Sequence, residues 1–131
     1  MLSFTNKLRS FSLSPKKRVA WQALTIAVLG TSYELSVVFV GDTRMRRVNA
    51  TYRTKNRPTN VLSFPLSQST GEILLNIPYI HREASRYKDT HPARHHLDYL
   101  FIHGLLHLRG HNHGTAMEHE EQRLMKKYIL G

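Results

Sequence analysis

Three histidines in the segment FIHGLLHLRGHNH, from Phe101 to His113, constrain the local fold of this chain most strongly. His103 and His107 are four residues apart, so on a helix they lie on one face, about one turn from each other. Gly110 is the residue type that ends a helix in a left-handed turn, which lets the chain fold back and bring His113 to the same point. Three neutral imidazoles that converge in this way predict a zinc site with its fourth position left for water.

His111 leaves a second arrangement of this site open. It lies two residues before His113, and as a fourth protein ligand it would close the coordination shell of the metal. We favour the three-ligand site, because ligands this close together around a sharp turn are hard to aim at one ion. Three other histidines, His95, His96 and His119, are expected to be solvated or to lie behind the ligands.

The histidine spacing matches the zinc-peptidase signature HExxHxxGxxH except at one position. Gly104 stands where that signature has the glutamate that acts as general base. Glycine cannot take a proton from water, so a peptidase would need a base from elsewhere, and Gly104 instead favours close approach of another backbone to the helix. Water activated by a metal can still attack a phosphodiester, provided that charge on the phosphoryl oxygens is stabilised.

The charge of the chain points to a polyanionic partner. The 131 residues include 19 Lys and Arg against 9 Asp and Glu, a formal net charge of +10 at pH 7. Eleven of the basic residues lie in the first 57 positions, where the only acids are Glu34 and Asp42. Such a field attracts nucleic acid, although high charge also keeps a small protein soluble. Arg53, Lys55 and Arg57 are candidates for binding a phosphate diester, and a solvated basic loop is the alternative.

Cysteine usage and hydropathy narrow the class of protein further. The absence of cysteine excludes a disulfide framework and thiolate metal sites, which leaves histidine and carboxylate as ligands. The apolar stretch from Val19 to Leu29 follows a basic run, as in a signal peptide, but Gln22 and Thr25 interrupt it. It is also too short to span a bilayer. We therefore expect an amphipathic core helix, no membrane segment and a cytoplasmic protein.

Periodicity and helix-boundary residues predict one α+β domain over residues 1–131, with a mixed sheet of about four strands and about five helices. Strands are expected near Phe4 and over 34–40, 61–66 and 72–77. The expected helices run over 15–29, from Asp42 or Thr43 to about Tyr52, briefly from Pro78, from Thr90 or Pro92 to Leu108, and from a capping box at Thr115 to about Leu130. The fourth of these helices carries the first two histidines, as in zincin-type enzymes.

Two blocks of the sequence, NATYRTKNRPTNVLSFPL and HGLLHLRGHNH, resemble the YbeY family of bacterial rRNA maturation factors. The order of ELSVVFVGD, GEILLN and a final MEHEE is similar to that family as well, so the resemblance runs from about Leu13 to Leu130. It implies a single-domain, metal-dependent endoribonuclease with zinc on His103, His107 and His113. It also implies action on RNA of the small ribosomal subunit, in 16S rRNA 3′-end processing and ribosome quality control.

The resemblance further assigns the residues of a cleft. Arg53 corresponds to the family's cleft arginine and is the candidate catalytic residue. Four residues after it are expected to shape the cleft wall: Thr59, Asn60, Ser63 and Phe64.

The chain differs from the family in three places. The family usually has GYDH where this chain has GHNH, so Asn112 keeps the shape of an aspartate but loses its charge, and His111 replaces an aromatic ring. The turn between Pro65 and Gly71 is short, which predicts a more open edge of the cleft.

These features together predict a mechanism for cleavage of single-stranded RNA. Zinc on the three histidines activates water, Arg53 binds or neutralises the scissile phosphate, and the basic N-terminal half attracts RNA. Nickel or iron is also compatible with three histidines. Two other functions stay open at this point. One is a non-catalytic ribosome-assembly factor with a structural metal, and the other is a metal-dependent hydrolase of another substrate, such as a peptide.

Overall fold

A four-stranded mixed sheet is the frame of the fold in the computed structural model, which describes residues 1–53, 55, 57 and 59–130. The strands are β1, Leu2–Asn6; β2, Glu34–Val40; β3, Val61–Pro65; and β4, Thr70–Asn76. They lie in the order β1-β2-β4-β3. Strands β1 and β4 pair in parallel with β2, whereas β3 pairs antiparallel with β4 and forms an edge of the sheet.

Helices cover both faces of this sheet. The described residues form five α-helices: α1, Pro15–Leu29; α2, Asp42–Arg53; α3, Ile77–Glu83; α4, His96–Arg109; and α5, Thr115–Leu124. Short 3-10 turns follow α3 over Ala84–Tyr87 and precede α4 over Ala93–His95, and π-helical turns continue α5 over Met125–Leu130. None of the helices in the described ranges is both long and apolar enough to cross a membrane.

Local sequence explains where two of the helices begin and end. The Ser14 hydroxyl accepts a hydrogen bond from the Lys17 N–H at 3.2 Å, and Pro15 takes the first helical position of α1. Gly110 ends α4 with a φ of 104°, in the left-handed conformation, and its N–H donates to the His107 carbonyl. The predicted stop of the metal helix at Gly110 is therefore confirmed.

Two other helix starts differ from the prediction. The helix expected from Thr90 or Pro92 begins at His96, because the Thr90 hydroxyl donates to the Tyr87 carbonyl and closes the preceding turn instead of capping a helix. The capping box at Thr115 is wrong. Thr115 is already the first residue of α5, and the N-cap is Gly114, which has no side chain to accept a hydrogen bond.

The main core lies between the sheet and helices α1 and α4. Trp21 of α1 stacks on Phe101 of α4 with ring centroids 4.0 Å apart, and both side chains are fully buried. A smaller cluster of buried apolar residues, separate from the main core, includes Met45 of α2 and Leu62 of β3. Helix α4, which carries His103 and His107, packs on the main core, while α2 packs on the second cluster together with residues of β3.

Candidate metal centre and cleft

The three histidines of the motif lie together in the structure. His103 and His107 follow one face of α4 with their Nε2 atoms 3.0 Å apart, and His113 comes after the left-handed turn at Gly110. One ligating nitrogen from each of the three lies within 4.8 Å of the others. The cluster can therefore hold a metal ion.

In two of these histidines, the other ring nitrogen lies within hydrogen-bond distance of an oxygen atom outside the cluster. Nδ1 of His103 lies 2.6 Å from a carboxylate oxygen of Glu121, and Nδ1 of His107 lies 3.1 Å from the carbonyl oxygen of His111. A proton on each Nδ1 would be donated to the neighbouring oxygen, and in that tautomer both Nε2 atoms keep a lone pair for a metal ion. Burial, and then the neighbouring His103, lower the pKa of His107, which favours the neutral form that a metal requires.

Glu121 is a site residue that the sequence analysis missed. It is 2% exposed and accepts a second hydrogen bond, at 3.0 Å, from the hydroxyl of Tyr99. Burial, and then the charge of Glu121, raise the pKa of Tyr99, so this hydroxyl stays protonated and donates. A signal was present in the sequence. Glu121 lies four residues after Met117 and three before Leu124, on the apolar stripe of α5, where a carboxylate needs a partner.

His111 is not a member of the cluster. Its backbone carbonyl accepts from His107, while its side chain lines a separate small cavity with Arg109 and Glu120. Among the described residues, the group that can share one ion consists of the three histidines alone. The alternative of a closed four-ligand site with His111 is therefore wrong for this structure.

A cleft of about 530 Å³ opens beside the histidine cluster. Its lining contains every residue that the family resemblance assigned to the site: Arg53, Thr59, Asn60, Ser63, Phe64, His103, His107 and His113. The two other candidates for phosphate binding, Lys55 and Arg57, are not part of this lining. Strand β3 supplies one wall and α4 the other, and Arg53 enters from the end of α2. The described residues of this lining include no carboxylate.

Gly104 allows the two walls to lie close together. A Cβ atom at this position would come within 3.0 Å of the Ser63 hydroxyl and 3.1 Å of a methyl group of Ile73. The Ser63 hydroxyl also donates to the Gly104 carbonyl at 3.1 Å. The prediction that another backbone approaches at Gly104 is therefore wrong, because side chains of β3 and β4 make the close approach.

The basic segment after Arg53 folds back on α2. The backbone carbonyl of Asn49 accepts from the Lys55 N–H at 3.3 Å, and the Asn49 side chain donates to the Arg57 carbonyl at 2.8 Å. Asn49 itself is 1% exposed, so these contacts anchor Lys55 and Arg57 while their own residues stay exposed. Before, between and after these two residues, Thr54, Asn56 and Pro58 lie outside the described residues.

A buried polar cluster lies behind Asn60. The Asn60 side chain donates to Glu83 at 2.8 Å, and the same oxygen of Glu83 accepts from Nε2 of His96 at 2.8 Å. Nδ1 of His96 lies 2.8 Å from Nε2 of His91, whose pKa is lowered to about 4 by burial and then by His96. His96 is fully buried, so it is not solvated, and its two ring nitrogens contact Glu83 and His91 rather than a metal ligand. The expectation for His96 is therefore wrong.

The two remaining histidines that were expected to be solvated or to lie behind the ligands are His95 and His119. Nδ1 of His95 lies 3.3 Å from the fully buried carboxylate of Asp98. This carboxylate also accepts hydrogen bonds from the Lys17 ammonium at 2.5 Å and from the Trp21 N–H at 2.7 Å. His119 is exposed, as expected. Asp98 therefore joins α1 to α4 and has no part in the cleft lining.

The profile of the family described as "Endoribonuclease YbeY" matches residues 5–130 of this chain. The chain belongs to the YbeY family. This membership confirms the resemblance drawn from the two motif blocks, whose residues line the cleft.

Individual YbeY relatives differ in how much of their length this chain covers. The "Endoribonuclease YbeY" of Chelativorans sp. (strain BNC1) is 42% identical over 105 residues, which are 73% of this chain and 63% of that protein. For Rhodopseudomonas palustris the identity is 38%, over 74% of this chain and 55% of the relative. The chain thus spans less than two thirds of these two relatives. The Geobacillus kaustophilus protein of the same name is 32% identical, over 95% of this chain and 86% of its own length.

A solved structure supports the fold. The solution structure of TM1509 from Thermotoga maritima superposes with a TM-score of 0.62 at 21% identity, covering 96% of this chain and 88% of the other. Identity at this level bears on the fold alone. Together with the four-stranded mixed sheet, it confirms the predicted α+β class.

Proposed function

We propose that this member of the YbeY family is a metal-dependent endoribonuclease that cleaves single-stranded RNA. Its substrate is rRNA of the small ribosomal subunit, in 3′-end maturation and ribosome quality control in the cytoplasm. The observation that carries the proposal is the convergence of Arg53 with three histidines on one open cleft. Relatives in the family carry the name endoribonuclease, which supports the same reaction here.

Zinc is the metal that we propose for His103, His107 and His113. Zn–N bonds of about 2.0–2.1 Å place the nitrogens of a tetrahedral site about 3.4 Å apart. The ligating atoms of the cluster are within 4.8 Å of one another, so small side-chain rotations bring them to that spacing. Three neutral imidazoles without thiolate or carboxylate suit zinc well. When bound, zinc supplies Lewis-acid activation of water for hydrolysis.

Other side chains of the protein bind the substrate and orient a metal ligand. The Arg53 guanidinium holds the scissile phosphate and offsets negative charge on its oxygens, which needs a cation already placed in the cleft. Glu121 fixes the ring of His103 so that Nε2 keeps its direction. The excess of basic residues in the first 57 positions raises the local concentration of RNA.

Two observations argue against the alternative functions. A peptidase of this spacing needs a carboxylate base, but the signature position is Gly104 and no carboxylate lies among the described cleft residues. A purely structural metal usually has four protein ligands, whereas the cluster in the described residues has three and faces an open cleft.

The test is cleavage of small-subunit rRNA by the purified protein, with and without a chelator, together with metal analysis. Arg53→Ala and His107→Ala should each lose at least ~100-fold in rate, since one oxyanion-type contact is worth that much. Arg44→Ala removes an equal charge from an exposed position of the same helix and serves as the matched control. Equal trace cleavage by every variant indicates a contaminating ribonuclease and rejects the proposal, while cleavage of casein would restore the peptidase alternative.

A further inference from the structure

An aromatic pair made of an exposed tyrosine and a half-buried phenylalanine adjoins the cleft. Tyr52 is the residue before the last of α2 and is 70% exposed, while Phe64 of β3 lines the cleft. Their ring centroids are 5.4 Å apart, with the ring planes at 58°. Phe64 packs on the smaller core cluster with Met45 and Leu62, which holds its ring in place. Tyr52 is largely exposed to solvent.

We propose that Tyr52 and Phe64 form a stacking site for one nucleobase of single-stranded RNA, beside the phosphate that Arg53 holds. This inference rests on the proposed ribonuclease function and names how the same cleft recognises its substrate. An aromatic face that is open to solvent and adjoins a cationic group is the arrangement that single-stranded nucleic acids bind.

The charges around the pair fit a nucleotide chain. Arg53 follows Tyr52 directly and lines the cleft, so a base on the tyrosine and a phosphate at the guanidinium belong to neighbouring parts of one strand. Lys55 and Arg57 are exposed and their backbones are anchored through Asn49, so two further cations follow Arg53 closely in the chain. Aromatic contact and backbone charge then act side by side.

Stacking of this kind explains a preference for single strands. A base inside a duplex is already stacked and paired, so its face is not available to a protein side chain. The pair offers ring faces without the donor and acceptor pattern that reads base edges, so it should accept all four bases, with modest differences that follow stacking strength. The site therefore selects strandedness rather than sequence.

Binding rather than cleavage is the appropriate test, because it separates the stacking site from catalysis. The probes are a fluorescent 12-nucleotide single-stranded RNA and a ribose-phosphate oligomer of equal length without bases. Binding is measured by anisotropy with the purified full chain in the presence of a chelator, because the metal-loaded protein would cleave the RNA probe. A gel run afterwards verifies that the RNA is intact. The variants are Tyr52→Ala, Tyr52→Phe and Tyr52→Leu, and Val19→Ala on α1 is the control, since Val19 is 72% exposed and lies outside the cleft lining.

We expect Tyr52→Ala to weaken binding of the base-containing RNA about fivefold to hundredfold, the range found for loss of one stacked base. Binding of the oligomer without bases should change less than about twofold, and Tyr52→Phe should behave as the wild type. Tyr52→Leu should resemble Tyr52→Ala, because leucine keeps the apolar volume without the ring face.

Several outcomes overturn the stacking site. One is an equal loss of affinity of Tyr52→Ala for both probes, and another is an unchanged affinity of Tyr52→Ala for the base-containing RNA. The others are wild-type affinity of Tyr52→Leu for that RNA, and a wild type that does not prefer the base-containing probe. Failure of the ribonuclease proposal looks different. In that case the wild type discriminates between the probes through Tyr52 but does not cleave rRNA in the presence of metal.

Discussion

Replacement of Glu121 by glutamine tests whether a buried carboxylate sets the metal affinity of the cleft. The carboxylate is 2% exposed and accepts from Nδ1 of His103 at 2.6 Å and from the Tyr99 hydroxyl at 3.0 Å. Glutamine keeps the shape and one oxygen, which can still accept from His103. The Tyr99 hydroxyl can rotate to accept from the new amide. The substitution thus removes the charge but retains a hydrogen bond to the ligand.

The expected cost follows from the role of this contact. Loss of a partner behind a metal ligand typically lowers metal affinity 10- to 100-fold, or about 1.4–2.7 kcal/mol. Because Glu121→Gln keeps one hydrogen bond, we expect the lower end, about 10-fold, and about 100-fold for Glu121→Ala. The negative charge also offsets the positive charge that the metal brings to His103, and that contribution is lost in both variants.

The assay is zinc affinity at pH 7.5 by competition with a chromophoric chelator, together with thermal unfolding with and without zinc. Glu118→Gln is the matched control, since Glu118 is an exposed carboxylate on the same helix. The variant should lose part of the zinc-induced rise in Tm, while the control keeps all of it. Unchanged zinc affinity in Glu121→Ala with a folded apoprotein would refute the orienting role of Glu121.

Three further predictions concern stability. Asp98→Ala should destabilise the fold by about 1–3 kcal/mol in urea unfolding, because it leaves the buried Trp21 N–H without its 2.7 Å partner; a loss below about 0.5 kcal/mol would contradict this. Gly104→Ala should lower the free energy of unfolding by about 1 kcal/mol, because the new Cβ would lie 3.0 Å from the Ser63 hydroxyl and this clash outweighs the gain in helix propensity. A more stable variant would show that β3 and α4 can move apart at little cost. The pKa of His91 is lowered to about 4 in the fold, so the unfolded chain binds more protons below pH 6.5. Its contribution of about 3 kcal/mol is present above pH 6.5 and should be lost as the pH falls towards 4. His91→Gln should flatten this pH dependence of stability, measured by urea titrations at stepped pH.

The helices and strands were largely predictable because their signals are local. Pro15 and Gly30 bound α1 as expected, and the β-branched run of β2 forms a buried strand. The errors arose where a local signal had two readings. Thr90 and Thr115 both matched helix-capping patterns, but Thr90 closes a turn and Thr115 lies one residue inside its helix.

Sequence spacing alone was enough to predict the histidine cluster. A four-residue interval and a helix-ending glycine, all within Phe101–His113, suffice to bring three rings together, since helix geometry relates neighbours over one or two turns. Arg53 is different. It lies 50 residues before His103, and only the resemblance to a family connected the two, because no local rule links the end of α2 to α4.

Residue chemistry and short-range geometry in the chain thus specify the helices, the sheet strands and a three-histidine centre. Packing of distant elements specifies everything that surrounds it: Glu121 behind His103, Glu83 and His96 behind Asn60, and Tyr52 against Phe64. The physical reason is that periodicity shows which face of a helix is buried but not what it meets. A buried carboxylate or an exposed ring gains its role from a partner on another element, and only the folded arrangement of α2, β3, α4 and α5 supplies that partner.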